Sequence, residues 1–277
     1  MSHRNHVVSS LALLGLLGAG PILSAQAEPR VGETMRAVSM HWSKRSPEDI
    51  AQRIGFAANL VAGREVKADL AAMLIKDQDA FRRWTAPIED APELKVKVIP
   101  DYDEIRVINR SLLDKVVEKD IGKVNAIDIA YRYLQQLAEA GMLNQNRFDA
   151  SDVQVGYGRV IEGSKDGKQK LDAITEYRVT FRPNIDGIQL ANAGVRIAVH
   201  RSGGLAGLRF GGVSTDENAN DTVLRTVSLN QANGFMIKLF PDNATPEVVW
   251  SRVMYVMPED TRVAVVAPMQ VYSYALK

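Results

Sequence analysis

The stretch Glu176–Gly212, EYRVTFRPNIDGIQLANAGVRIAVHRSGGLAGLRFGG, decides the fold. Tyr177, Val179 and Phe181 alternate with Glu176, Arg178, Thr180 and Arg182. That period of two is the pattern of a strand with one face in the core and one in water. A polar turn follows. Val195, Ile197 and Val199 then repeat the alternation, and Ala206, Leu208 and Phe210 answer it across the turn Ser202-Gly203-Gly204. Turns of hairpin length, with no crossover helix between Ile174 and Phe210, require antiparallel pairing.

Upstream of this stretch, Ile127, Ala130, Tyr131, Leu134 and Leu137 form one face of a helix over Ala126–Ala140, with Asn125 as its cap and Gly141 as its stop. Val153–Ile161 reads as a strand in which Gly156 and Gly158 mark a bulge or a close backbone approach. Leu94–Val98 and Glu104–Asn109 read as a hairpin. Ser46-Pro47-Glu48-Asp49 opens a helix whose apolar face is Ile50, Ile54, Ala57, Ala58 and Val61, stopped by Gly63. A second helix is expected over Val66–Trp84, then a connector over Thr85–Pro92. Gly211–Thr222 is expected to be a loop. The helix Leu229–Phe240 is expected to cover a last hairpin, Val248–Met257 with Arg262–Tyr272.

The order of these elements resembles the PepSY and FTP-like modules of thermolysin-type metalloprotease propeptides and of stand-alone exported bacterial proteins. The resemblance rests on Ala126–Leu134, on Tyr177–Phe181, on the turn Asp186-Gly187-Ile188, on Val195–Val199 and on Gly203-Gly204. It covers residues 94–275, and residues 228–273 are similar to a second such module. It implies an α+β fold of cystatin-like type, with antiparallel sheets each covered by a helix, here preceded by a helical N-terminal segment. It also implies binding or inhibition, with no catalytic residues to carry over. The helical His-Glu-x-x-His motif of the proteases that such propeptides precede does not occur in this sequence.

The expected organisation is a signal peptide over 1–27, a helical N-terminal region over 28–92, a first module over 93–222 and a smaller helix-plus-hairpin module over 223–277. Arg4, the apolar run Val7–Gly18 and Ala25-Gln26-Ala27 fit a secretory signal cleaved after Ala27, so the protein is expected in the periplasm or outside the cell. A retained membrane anchor is the competing reading, although Pro21 and several glycines interrupt the apolar run. No other long apolar run occurs, so no membrane span is expected in the mature chain.

The 277 residues hold 34 Lys plus Arg against 33 Asp plus Glu, a balance that argues against a nucleic-acid partner. Cysteine is absent, which removes disulfides, thiolate metal sites and cysteine nucleophiles from consideration. His41 and His200 are too far apart in sequence to suggest a metal site, and His200 reads as solvated on the polar side of its strand. Asp101, Asp103 and Glu104 could ligate calcium, although a solvated turn is favoured. Hairpin chemistry explains Gly203–Gly207 better than phosphate binding does. No metal or cofactor is expected.

The binding candidates are Trp42, as an exposed aromatic anchor, and the turn residues Asp186 and Gly187. The function expected is that of an exported, non-enzymatic binding protein for another protein or peptide. Protease inhibition and a chaperone-like role toward an envelope protein are its two forms. The alternatives are an envelope hydrolase with a dispersed carboxylate site and a structural subunit of a surface assembly. A deep cleft holding two acids would favour the hydrolase, and a flat apolar patch a partner interface.

Overall fold

The computed structural model describes residues 34–43, 45–67, 84–88, 90–99, 103–113, 115, 117–143, 148–163, 169–191, 193–223, 233, 246–257, 263–266 and 268–276. The chain runs through β1 (Thr34–Trp42), α1 (Pro47–Ala62), β2 (Trp84–Ile88), β3 (Ala91–Ile99), β4 (Glu104–Asn109), α2 (Arg110–Leu113) and α3 (Gly122–Glu139). It continues through β5 (Phe148–Gly163), β6 (Gln169–Ile185), β7 (Ile188–Leu190), β8 (Val195–His200), β9 (Leu205–Phe210) and β10 (Val213–Val223). The last elements are β11 (Pro246–Tyr255), β12 (Val263–Val266) and β13 (Met269–Leu276). The fold is α+β, with a mostly antiparallel ten-stranded sheet in the order β13-β11-β7-β6-β8-β9-β4-β3-β2 and β5 paired to β6. A three-stranded sheet, β10-β1-β12, accompanies it.

Strand register builds the large sheet. Val96, Val107, Leu208, Ile197 and Val179 lie side by side across β3, β4, β9, β8 and β6. Two residues along each strand, Val98, Ile105, Phe210, Val195 and Phe181 form a second such row. Every residue of both rows is buried, and α1 and α3 supply the facing side chains Ile50, Ile54, Ala57, Ala58, Ala126, Ala130, Leu134 and Leu137. β6, β8 and β9 pair antiparallel, as their short turns require.

Both helices begin and end for local reasons. Ser46 Oγ accepts from Asp49 N–H at 3.2 Å, and Gly63 closes α1 in the left-handed region at φ 67°. α3 starts earlier than the apolar pattern suggests, at Gly122, so Asn125 is not its cap. Asp120 Oδ1 accepts from Gly122 N–H at 2.8 Å, while Asn125 Nδ2 donates to Ile121 O at 2.6 Å. Gly141, at φ 71°, ends the helix.

Several expectations are corrected. Trp84 does not end a helix but opens β2, and Thr85–Pro92 is mostly strand rather than connector, because β2 pairs with β3. Residues 68–83, where most of the second helix was expected, lie outside the described residues. The N-terminal region is not simply helical, since β1 pairs with both β10 and β12. Gly211–Thr222 is not a loop: β1 offers its backbone to Val213–Val223, and that pairing overrides the polar composition. The last hairpin also differs. β11 pairs antiparallel with β13 and parallel with β7, while β12 leaves to pair with β1. There Val266 joins Val38, Met40, Trp42, Leu190, Tyr255 and Met257 in a second core. Residue 233 aside, the helix expected over 229–240 lies outside the described residues, as does the signal segment 1–27.

His200 is buried rather than solvated, enclosed by the backbone at Lys115 and by Ser202. Its Nε2 lies 2.8 Å from Lys115 O, an acceptor only, so Nε2 carries the proton. Nδ1 then accepts from Ser202 N–H at 3.2 Å, with Ser202 Oγ at 2.7 Å.

The start of α3 is tied to the sheet by Tyr177, whose hydroxyl donates to Asp120 Oδ1 at 2.6 Å. Burial raises the Tyr177 pKa far above its usual value, and the bond to Asp120 raises it further. Desolvation also acts to raise the Asp120 pKa. Hydrogen bonds from Tyr177 and Gly122, with the charge of Arg201, outweigh it and hold the carboxyl below its usual value.

Leu134 is 1% exposed, so Leu134→Ala is expected to lower stability by about 2–5 kcal/mol in urea melts. Arg196→Ala on the opposite face should change it by no more than about 0.5 kcal/mol. Because Asp120 has a depressed pKa when folded, its charge contributes stability above the unfolded value of about 3.9. That contribution is lost as pH falls through the folded pKa. The stability difference between wild type and Asp120→Asn should therefore be present at neutral pH and close in acid.

Candidate functional site: a basic sheet face and its cleft

The residue between two buried neighbours on a strand faces the other way. Between the two apolar rows, a third row therefore emerges on the face of the sheet opposite α1 and α3. It reads Lys97, Arg106, Arg209, Arg196, Thr180 and Gln154 across β3, β4, β9, β8, β6 and β5. Neighbouring strands lie about 4.8 Å apart, so the four cationic residues form a continuous band. Arg178 and Arg182 flank it on β6.

Like charges side by side repel, and part of the band is neutralised from within. Glu104 places one carboxylate oxygen on Arg106 Nε and the other 2.8 Å from Arg209 Nε and 2.5 Å from Arg209 Nη2. Glu176 takes Arg178 at 2.5 Å. Its side chain fits because Gly158, opposite it, has no Cβ; one built there would lie 2.4 Å from Glu176 Cγ. The register shifts after Gly158, but the extra residue, Thr175, lies on β6, and what approaches Gly158 is the Glu176 side chain rather than a backbone.

Arg196 has no such counter-ion among the described residues; its Nε donates to Thr180 Oγ1 at 3.3 Å. Partial desolvation, and then the charges of Arg209, Arg178, Arg106 and Arg182, lower its pKa. An arginine remains charged under such a shift.

A cleft of about 520 Å³ opens along the band. Lys97, Arg106, Arg182, Arg196 and Arg209 line it, with Glu104 as the one carboxylate among the described residues. Trp42, at the end of β1, forms part of its apolar wall together with Ile99, Ala191 and Ala193. Gly194, also in the lining, lets β8 and β6 approach closely. Its φ of 128° suits glycine, and a Cβ there would sit 2.2 Å from Phe181 O and 3.2 Å from Arg182 Cα.

A buried ionic knot holds β1 in place over the sheet. Asp103, at φ 46°, accepts from Arg45 Nε at 2.9 and 2.7 Å through its two oxygens, and Arg53 Nη2 lies 3.8 Å away. The Arg53 guanidinium also stands 4.9 Å from the centre of the Phe210 ring and donates to Met142 O at 3.3 Å. Ser43 N–H donates to Gly212 O at 3.0 Å beside it. Asp103 and Glu104 are buried against arginines and are not the solvated turn acids expected, while Asp101 lies outside the described residues.

The three sequence candidates separate. Trp42 lines the cleft but is 9% exposed and packed into the second core, so it is not the exposed anchor expected. Asp186 and Gly187 form the two-residue turn between β6 and β7, with φ of 51° and 84°, as the tightest hairpin turns require. Both are exposed, and neither lines the cleft. Sequence reasoning missed the basic row. Its members were legible one by one as the wet positions of separate strands, but only the register aligns them.

Among the described residues, no helix is long and apolar enough to cross a membrane. Comparison with protein-family models, with curated proteins and with solved structures finds no match for this chain.

Gly194→Ala is expected to cost at least about 1 kcal/mol, because the new side chain meets both a strained φ and a backbone oxygen. Gly156→Ala, whose Cβ would meet only Arg178 Cβ at 3.9 Å, is the comparison and should cost less in the same urea melts.

Proposed function

We propose that this is an exported, non-enzymatic binding protein that captures an acidic protein or peptide on the basic face of its large sheet. The observation that carries this reading is the continuous row Lys97–Arg106–Arg209–Arg196 on the face opposite α1 and α3. Glu104 offsets only part of the charge of these four cations, so a further anion is attracted, and a scaffold of paired strands holds them in position beforehand. Arginine suits this task because its planar fork meets a carboxylate through two hydrogen bonds.

Export rests on the pattern of Arg4, Val7–Gly18 and Ala25-Gln26-Ala27. The kinship with PepSY and FTP-like modules, and with it an inhibitory or chaperone-like role, rests on the residues quoted for the resemblance. The non-enzymatic part of the reading draws on Glu104, the one carboxylate among the described residues of the lining. Glu104 is held between two guanidiniums, which suits it to fixing charges rather than to moving protons.

The test is capture of envelope proteins by immobilised protein at low and at raised salt. Lys97→Gln with Arg196→Gln removes two cations that have no carboxylate partner among the described residues, so the fold should tolerate the change. The partner retained by wild type should be lost from this variant and from wild type at raised salt, and kept by Arg132→Gln on α3. Equal capture by all three proteins at both salt concentrations would refute the reading.

A further inference from the structure

The cations in the cleft are not equivalent. Glu104 already occupies Arg106 and Arg209. Arg182 and Arg196 form no ion pair among the described residues. Arg182 is nonetheless held still: its Nε donates to Ala191 O at 3.1 Å and its Nη2 to Gln154 Oε1 at 2.7 Å. Arg196 is steadied through Nε by Thr180 Oγ1. In each, a fixed stem leaves at least one terminal nitrogen with no acceptor among the described residues.

The two side chains also share a space. Arg196 lies opposite Thr180 on β6, and Arg182 is two residues further along the same face of that strand. Gly194 packs against the backbone of β6 beside Arg182, where a Cβ would lie 3.2 Å from Arg182 Cα. Both arginines line the same cleft.

The rest of the lining limits what can enter. Glu104 stands in the same cleft and opposes a multiply charged anion more strongly than a singly charged one. Trp42 and Ile99 offer apolar surface to the remainder of the ligand, and about 520 Å³ lies within the usual range of small-molecule sites. Glu104 itself shows how a carboxylate is received on this face, with its two oxygens divided between guanidiniums.

We infer that this cleft is a carboxylate-binding pocket for a singly charged acid with an apolar remainder. Arg182 and Arg196 hold the carboxylate, and Trp42 and Ile99 cover the apolar end. The inference deepens the reading above, on which it rests, by naming what the basic face grips. Two sources offer that chemistry, a free organic acid and the C-terminus of a peptide ending in an apolar residue.

Isothermal titration of the purified protein separates them. The probes are hexanoate and hexanamide, the peptide Ala-Ala-Leu with a free or an amidated C-terminus, and inorganic phosphate. At least one free acid should bind tenfold or more tightly than its own amide and than phosphate. Which of the two binds more tightly identifies the source. Arg196→Gln should weaken that binding at least tenfold while keeping the wild-type melting temperature, and Arg132→Gln should leave it unchanged.

Equal binding of acid and amide, equal binding of phosphate, no detectable binding of either acid, or undiminished binding by Arg196→Gln would overturn the inference. The broader reading fails separately, since it requires that partner capture depend on Lys97 and Arg196. Capture that keeps this dependence while no acid binds would sink the pocket alone. Acid binding without that dependence would sink the broader reading and leave the pocket.

Discussion

One register, shared by β3, β4, β9, β8 and β6, is the constraint on which the rest of the molecule depends. It sets two buried rows, Val96 through Val179 and Val98 through Phe181, beneath α1 and α3. The same register puts Lys97, Arg106, Arg209 and Arg196 in line on the other face. Because side chains alternate, a slip of one residue would bury the cations and expose the core. The hydrophobic effect that selects the fold therefore also assembles the basic face. Nothing more is needed to bring together arginines that are far apart in sequence.

The second sheet matters through the place where it meets the first. β1 ends at Trp42, and the chain then passes Arg45 before entering α1. The buried Asp103 with Arg45 and Arg53 fixes that passage against the β3–β4 turn and the end of β9. Desolvation offsets most of the attraction in such a group, so its main effect is on position rather than on net stability. Burial acts to raise the Asp103 pKa, and the charges of Arg53 and Arg45 and hydrogen bonds from Arg45 and Gly212 oppose it. The consequence for the cleft is a fixed apolar wall: Trp42 is anchored among Met40, Leu190 and Tyr255, and its exposed margin borders the arginines.

Where periodicity is strong and local, the sequence was a sufficient guide. Ser46 and Gly63 bound α1 as their chemistry demands, and Tyr177, Val179, Phe181, Ile197, Leu208 and Phe210 are all core. It misled where distant pairing decides. Nothing local in the polar run Val213–Val223 announces a strand; β1, more than 170 residues earlier, makes it one. His200 alternates as a solvated residue would, but Lys115 and Ser202, brought to it from outside the strand, enclose it. The site was hidden for the same reason. A total charge near zero conceals a segregated one, and cations on separate strands become neighbours only once all the strands are paired.

The account is tested most directly by the Nε–Hε resonances of the arginine side chains, observed by nuclear magnetic resonance while an acidic partner is titrated in. The signals of Arg182 and Arg196 should move first and furthest, with Arg106 and Arg209 following as Glu104 readjusts, and that of Arg132 on α3 should stay in place. Movement confined to Arg132 and the amides of α3, with the row unmoved, would contradict the account.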